Sequence, residues 1–208
     1  MEKFVIAISR RAGSGGTPVG KILAKEYGIN LYDKEIMKMA SEDSGINEAL
    51  FAKADEKVKN SLLYKVSKRV YNGELIPPAS GNFTSDQNLF NYQAKVLKEL
   101  AANESYVVIG RAADFVLKDV KNVIKVFLYA DEEFCVQQEA LALTIEEKEA
   151  RKLIKKLDKE RDSYHSFYTG LDRNDCSNYD ICLDTGKLGF EKTAQIIKNY
   201  VDIRLSEK

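Results

Sequence analysis

The residues best suited to chemistry form a run of small and basic side chains, R-R-A-G-S-G-G-T, from Arg10 to Thr17. An apolar stretch, Phe4 to Ser9, precedes the run, and a helical pattern follows it. Backbone N–H groups of small residues can converge on an anion at a helix N-terminus, where the helix dipole favours negative charge. The run therefore predicts a phosphate-binding loop between a strand and a helix.

Two registers of the pattern G-x-x-x-x-G-K-[ST] compete in this region. The match from Gly15 to Lys21 begins six residues beyond Ser9 and puts its lysine inside the predicted helix. The register that begins at Arg10 follows the strand directly, but Gly16 stands in the place of the lysine. In that register the phosphate-binding residues are predicted to be Arg11, Gly13, Ser14, Gly15, Gly16 and Thr17.

The absent lysine removes the charge that normally contacts the β- and γ-phosphates. Arg10 or Arg11 could replace it. Lys21 could also do so, because helical side chains lean toward the N-terminus. The alternative is a glycine-rich turn with solvated arginines and no ligand.

Strand and helix patterns alternate along the whole chain. Apolar, β-branched runs predict strands at 4–9, 30–32, 106–109, 123–129 and 179–183. Helical patterns are expected over 17–27, with Thr17 as N-cap, over 47–71 and over 190–205. Another helix is expected to begin at Asp33. Capping boxes predict two more helices, one that begins at Thr84 and one that runs from Thr144 to about His165. A long loop is expected over 72–85. Five short strands separated by helices predict an α/β fold, a parallel sheet with helices on both faces.

Composition narrows the classes of function. The chain has 208 residues, with Lys+Arg and Asp+Glu at 32 each, so a nucleic-acid partner is not expected. No apolar run approaches the ~18–20 residues of a membrane span. Three cysteines without C-x-x-C spacing and one histidine argue against a zinc site and a serine-histidine-aspartate triad. A cytoplasmic location and no tightly bound cofactor are expected.

Five motifs resemble the cytidylate-kinase-like family, in matching order over about residues 4–200. They are S-R-x-x-G-S-G-G at 9–16, Y-D-K-E at 32–35, V-I-G-R-A-A-D at 108–114, D-K-E-R at 158–161 and N-Y-D-I-C-L-D-T at 178–185. The resemblance implies a P-loop nucleoside monophosphate kinase fold with a five-stranded parallel sheet. It also implies one domain over 1–208, with a helical acceptor-side insert at about 34–105 and a lid at about 144–176.

The resemblance implies transfer of the γ-phosphoryl group of ATP, with Mg²⁺, to CMP or dCMP. Asp33 and Arg111 match positions near the acceptor phosphate, and Arg161 matches the lid arginines. The expected catalytic residues are Arg161 and Asp33 from this match, and Arg10 as a replacement for the lysine. The acid that normally precedes Gly-Arg is absent, so Thr17, water and Asp33 are the candidates for contact with Mg²⁺.

Each of these assignments has a structural alternative. Arg161 lies on an apolar helical stripe, which points it toward a cleft, but its stem could also cover the core while its head stays in water. Asp33 could be a helix N-cap, and Arg111 could form an ion pair with Asp114.

Two other functions stay open at this point. One is a regulatory protein that binds nucleotide or phosphate with little or no turnover, and the other is a kinase for a different small acceptor. The expected partners are nucleotides or other small phosphorylated molecules, with no nucleic acid and no membrane. A homodimer is compatible with the long helical segments.

Overall fold

The computed structural model describes residues 2–57, 71 and 73–206, and its sheet has five parallel strands. These are β1 (Val5–Arg10), β2 (Asn30–Tyr32), β3 (Tyr106–Ile109), β4 (Val123–Tyr129) and β5 (Ile181–Asp184). Their order across the sheet is β2-β3-β1-β4-β5, and every pairing is parallel. The predicted five-stranded parallel sheet is confirmed.

Helices cover both faces of this sheet. They are α1 (Gly16–Tyr27), α2 (Glu35–Ser44), α3 (Glu48–Lys57), α4 (Asp86–Asn103), α5 (Ala113–Val116), α6 (Glu132–Leu143), α7 (Glu147–Thr169), α8 (Thr185–Leu188) and α9 (Phe190–Ser206). Alternate residues of β1 enter two different cores. Val5 and Ala7 pack with α2, α4 and α5, whereas Ile6 and Ile8 pack with α1 and α9. Burial on both faces explains why β1 is a continuous apolar run.

The start of α1 differs from the prediction. Its N-cap is Gly15, whose φ of 79° lies in the left-handed region that favours glycine, and the helix begins at Gly16. Thr17 is therefore in the first turn. Among the described residues no side chain caps this helix end, so the first N–H groups are open to a ligand.

Both predicted capping boxes are wrong in position. The cap of α4 is Ser85, one residue after Thr84. Thr144 does not start α7, because it ends α6 in the left-handed region with φ of 56°. The helix α7 also continues beyond His165, to Thr169.

The segment from 47 to 85 is described in part. The helix α3 confirms the start of the helical prediction over 47–71, and residues 58–70 lie outside the described residues. From Gly73 to Ser85 the chain has no helix or strand, in agreement with the predicted loop. The division into an insert at about 34–105 and a lid at about 144–176 stays a prediction. No helix of the described residues is both long and apolar enough to cross a bilayer.

Candidate active site

The phosphate loop, residues 10–17, connects the end of β1 to α1. Its turn uses two glycines with positive φ, Gly13 at 76° and Gly15 at 79°. The Ser14 hydroxyl lies 2.9 Å from the Arg11 carbonyl oxygen and 3.0 Å from that of Leu128. The Thr185 hydroxyl lies 2.9 Å from the carbonyl oxygen of Ser14. These bonds fix the loop to the ends of β4 and β5.

The Arg10 side chain crosses Gly16, the position at which this loop pattern carries a lysine. A Cβ atom at Gly16 would lie 2.8 Å from Cγ of Arg10, closer than real Cβ contacts. The guanidinium then reaches the backbone of Gly110, where a Cβ atom would collide with Nη1. Because glycine has no Cβ atom, Gly16 and Gly110 together leave room for the side chain of Arg10.

A cavity of about 180 Å³ opens where this guanidinium ends, and it is called here the arginine cavity. It lies at the carboxyl ends of β1, β2 and β3, where parallel α/β sheets bind ligands. Its charged lining consists of Arg10, Arg111, Arg161 and Arg173 together with Asp33 and Glu160. Four cations face two acids, so the cavity suits an anion.

The electrostatic environment of Arg10 is unfavourable for its own charge. Burial, together with the charge of Arg161, lowers the pKa of Arg10 to about 9, while Asp33 acts in the opposite direction. Burial also lowers the pKa of Arg161, against the effect of Asp158. Positive charge is therefore concentrated here at a cost to the folded state, which is typical of functional sites.

Arg161 has a donor that the described residues do not satisfy. Its Nη1 is buried and has no hydrogen-bond partner among them, and the Asp158 carboxylate is 4.0 Å away. A buried donor without an acceptor costs free energy that a bound acceptor would recover. The atom therefore indicates where an oxygen of a ligand would bind.

Asp158 joins α7 to the phosphate loop. Its Oδ1 accepts a hydrogen bond from the Ala12 backbone N–H at 2.9 Å. The same carboxylate lies 3.3 Å from Nη2 of Arg173 and 3.8 Å from Nη1 of Arg11. Asp158 thus fixes the position of α7 relative to the phosphate loop and to the side chains of Arg11 and Arg173.

Comparison with known proteins decides the family. The sequence model described as the cytidylate kinase-like family matches residues 5–187. The chain belongs to the cytidylate kinase-like family. The cytidylate kinase of Methanopyrus kandleri is 28% identical to this family member over 208 residues, which cover 95% of this chain and 93% of that protein.

Solved structures with a similar fold are also found. An uncharacterized protein from Eubacterium ventriosum is 29% identical with a TM-score of 0.70, over 96% of this chain and 99% of that one. The shikimate kinase of Bacteroides thetaiotaomicron, 13% identical, has a TM-score of 0.52 over 96% and 98% of the two chains. The second likeness concerns the fold alone, and it confirms the P-loop kinase fold.

Four of the predicted site residues of this cytidylate kinase-like chain come together. Arg10, Asp33, Arg111 and Arg161 all line the arginine cavity. Arg11 lines a second cavity, which Asp158 also lines, and Lys21 is exposed on α1. Of the three cations considered as replacements for the lysine, Arg10 is the one in the arginine cavity.

The local conformations of Asp33 and Arg111 differ from the predictions. Asp33 is not a helix cap, because α2 begins at Glu35 after Lys34. Arg111 lies before α5, which starts at Ala113, and its φ of 58° is in the left-handed region. A left-handed backbone in a non-glycine residue is uncommon, and such residues concentrate at functional sites.

Arg173 belongs to the cavity but was not predicted from the sequence. Its side chain is 4% exposed, its Nε donates to Asp162 at 2.8 Å, and its Nη1 donates to the Arg10 carbonyl oxygen at 2.5 Å. It stands in the polar run D-R-N-D at 172–175, which has the composition of a surface loop. The one available signal was an arginine shortly after D-K-E-R, and that signal is weak.

Replacing Arg173 with methionine is expected to destabilise the fold. The change leaves Asp158 and Asp162 without their shared cation. Because the side chain of Asp158 is 17% exposed and that of Asp162 is 39% exposed, water offsets part of the loss, and the expected cost is roughly 1.5–3 kcal/mol, the range for hydrogen bonds to charged groups. Chemical denaturation monitored by circular dichroism would measure the free energy of unfolding. The exposed Arg204→Met on α9 is the control, and equal stabilities of the two variants would contradict this account.

Proposed function

We propose that this protein transfers the γ-phosphoryl group of ATP, brought as its magnesium complex, to a nucleoside monophosphate, with CMP and dCMP as the first candidates. The observation that carries the proposal is the path of Arg10, which crosses Gly16 and ends in a cavity with three further arginines. Phosphoryl transfer needs in-line placement of donor and acceptor and positive charge around the transferred oxygens. The phosphate loop, as the site of the donor, and the arginine cavity, as the site of the acceptor, support the proposal.

The donor phosphates would bind the phosphate loop. The glycines of residues 10–17 bring backbone N–H groups close to an anion, and the N-terminus of α1 adds the favourable end of the helix dipole. Arg10 would supply the charge of the missing lysine. Its guanidinium is planar and offers five donors, so it can contact more than one phosphate oxygen at once.

The acceptor phosphate would bind Arg111 and Arg161. Both line the arginine cavity, and the unsatisfied Nη1 of Arg161 provides a donor for its oxygen. Asp33 is the carboxylate in the same cavity and would orient these arginines or the acceptor. Bidentate bonding by arginine gives both affinity and orientation for a phosphate group.

Magnesium would enter as part of the nucleotide substrate. Within the described part of the chain, no three His, Cys, Asp or Glu side chains are close enough to hold a metal ion. A magnesium ion that arrives with the nucleotide keeps phosphate oxygens and water as its main ligands, so it needs few ligands from the protein. The Thr17 hydroxyl, in the first turn of α1, would be the protein ligand.

A regulatory protein that binds phosphate without turnover is the second candidate. Gly16 in place of lysine and Ile109 in place of an acid favour it. A kinase for another small acceptor is the third candidate. The base or ring of the acceptor would contact parts of the chain in which the sequence shows no recognisable motif. The position of Arg10 favours turnover, because its guanidinium would supply the positive charge that glycine at residue 16 lacks.

The deciding experiment combines binding and transfer in the same samples. The purified protein is titrated with ATP, CTP, CMP, dCMP and AMP in the presence of Mg²⁺, and phosphoryl transfer is followed. Transfer to one monophosphate supports the proposal and identifies the acceptor. Binding without transfer supports the regulatory alternative, and the absence of both directs the search to acceptors that are not nucleotides.

Replacing Arg111 with alanine is expected to weaken binding of the acceptor by roughly 1.5–3 kcal/mol, because a charged hydrogen bond to its phosphate is lost. Calorimetric titration with the monophosphate that the wild type accepts would measure this change. Arg204→Ala, at an exposed arginine of α9, is the matched control. Unchanged affinity in Arg111→Ala would remove Arg111 from the acceptor site.

A further inference from the structure

The turn that follows β3 forms part of the wall of the arginine cavity and has an unusual backbone. Gly110, Arg111 and Ala112 have φ values of 72°, 58° and 48°, so three consecutive residues are left-handed. Residues other than glycine adopt this conformation at a cost in free energy, and they rarely do so in succession. The turn is closed by a hydrogen bond of 3.1 Å from the Ala113 N–H to the Gly110 carbonyl oxygen. Contacts outside the turn must therefore help to hold it in this form.

A buried carboxylate lies directly after this turn. The Asp114 side chain is 2% exposed. One of its oxygens accepts a hydrogen bond from the Ser9 hydroxyl at 3.3 Å, and the other is 2.8 Å from Nε2 of His165. Asp114 is in α5, whereas Ser9 is in β1 and His165 is in α7, and the latter two residues also line the arginine cavity. A single side chain thus joins a strand and two helices at the wall of this cavity.

The elements joined in this way also carry arginines of the cavity. Each of the three contact residues stands within four residues of one arginine, and the pairs are Ser9 with Arg10, Asp114 with Arg111, and His165 with Arg161. We propose that Asp114 is a positioning residue that fixes these arginines relative to one another before an anion binds. A binding site that is already ordered avoids part of the cost of binding, so the contacts of Asp114 raise the affinity of the cavity for an anion.

Charge and position predict opposite effects when Asp114 is removed. The arginine cavity is lined by four arginines and two acids. Loss of a further acid beside it would, on charge alone, strengthen the binding of an anion. If Asp114 positions the arginines, its loss lets the left-handed turn relax and moves Arg111, so the binding of an anion becomes weaker. The sign of the change in affinity therefore distinguishes the two effects.

Sulfate is the probe, because it has the charge and the shape of a phosphate group and its binding requires no turnover. Isothermal titration calorimetry is expected to show that Asp114→Ala binds sulfate about tenfold more weakly than the wild type, as when a hydrogen bond to a charged group is lost. Asp114→Asn has the shape of the original side chain and can form a hydrogen bond on each side. It is expected to bind sulfate at least as tightly as the wild type.

The matched control is Asp180→Ala. Asp180 directly precedes β5, at the end of the sheet opposite to the arginine cavity. Its carboxylate accepts a hydrogen bond from the Lys125 N–H at 2.7 Å and lies 3.3 Å from Nη1 of Arg204, so it joins β4 to α9. Its loss should destabilise the fold and leave the affinity for sulfate unchanged. A loss of affinity as large as that of Asp114→Ala would mean general destabilisation and would overturn the proposal.

Three other results would contradict the positioning role. They are equal or tighter sulfate binding by Asp114→Ala, an equal loss of affinity in Asp114→Asn and Asp114→Ala, and a wild type that binds no sulfate. If circular dichroism shows that Asp114→Ala does not fold, Ser9→Ala, which removes one of the two contacts, takes its place. Its binding of sulfate is expected to be about threefold weaker, and unchanged affinity would reject the proposal.

The catalytic consequence rests on the proposed function. If the protein transfers a phosphoryl group, Asp114→Ala should lower kcat by about 100-fold, the effect of a misplacement of about 1 Å, while the KM for ATP changes little. Asp180→Ala should change neither constant. Weaker sulfate binding by Asp114→Ala in a protein that transfers no phosphoryl group would reject the proposed function and leave this inference in place. Unchanged sulfate binding by Asp114→Ala in an active kinase would do the reverse.

Discussion

Replacing Arg10 with glutamine is expected to lower kcat by about 10³-fold or more, the range for removal of an arginine that stabilises charge in phosphoryl transfer. The fold should survive the change. Because burial and Arg161 lower the pKa of Arg10, its charged form destabilises the folded state below about pH 9, and this unfavourable contribution is lost in the variant. Unchanged or increased stability together with lost activity is therefore the expected signature.

Steady-state kinetics and thermal unfolding of Arg10→Gln would be compared with those of Arg11→Gln. The Arg11 side chain is 43% exposed and lies 3.8 Å from Asp158, so its removal is expected to cost less than about tenfold. Exposed Arg204→Gln serves as the control for loss of an arginine. A larger loss of kcat in Arg11→Gln than in Arg10→Gln would assign the role of the lysine to Arg11.

Restoring the lysine of the phosphate loop by Gly16→Lys is expected to lower kcat/KM by about 100-fold, although it recreates the common pattern at that position. Any Cβ atom at residue 16 would lie 2.8 Å from Cγ of Arg10, and so near the backbone the arginine cannot simply swing aside. The guanidinium would leave the arginine cavity. The double change Arg10→Gly with Gly16→Lys is expected to recover most of the loss, because the lysine then has room.

Gly16→Ala separates the two parts of this expectation, because alanine adds the Cβ atom without the charge. It should lose nearly as much activity as Gly16→Lys if the collision with Arg10 is the cause. Wild type, Arg10→Gly, Gly16→Lys and the double variant form a cycle, and the non-additivity of their kinetics measures the coupling of residues 10 and 16. Additive losses, or a Gly16→Lys variant as active as wild type, would show that the two positions act independently.

The strands β1, β3 and β4 could be predicted from the sequence because each is a short apolar run that lies mainly buried in a parallel sheet. Runs over 106–109 and 123–129 coincide with β3 and β4. The helix α6 was not predicted, because its apolar residues do not form one stripe. Leu141 and Leu143 of that helix are exposed, whereas Val136 is buried.

Two helix boundaries were predicted wrongly because the chain turns there through a left-handed residue, whereas at α4 the error is one residue, from Thr84 to the side-chain cap Ser85. At Gly15 and at Thr144 the backbone turns through positive φ, and the hydroxyls of Thr17 and Thr144 only resemble capping signals. Single-residue patterns do not encode such a turn, because it depends on the tertiary contacts that hold it.

The candidate site was predictable where its residues lie in motifs next to strand ends. Arg10, Asp33 and Arg111 follow strands, and parallel strands end at the same edge of a sheet. Arg173 comes from a polar loop far along the chain, and its partners Asp158 and Arg10 are 15 and 163 residues away. No local pattern could predict those pairings, since folding alone creates them.

The crowding of arginines around one small cavity makes the stability of the protein a function of its ionic surroundings. Mutual repulsion favours opening of the site when no counter-ion is present, and an anion that binds only the folded state shifts the folding equilibrium by mass action. Phosphorylated metabolites would then act as folding ligands. In a cell, the free energy of unfolding of this protein would rise with the concentration of the molecules that it binds.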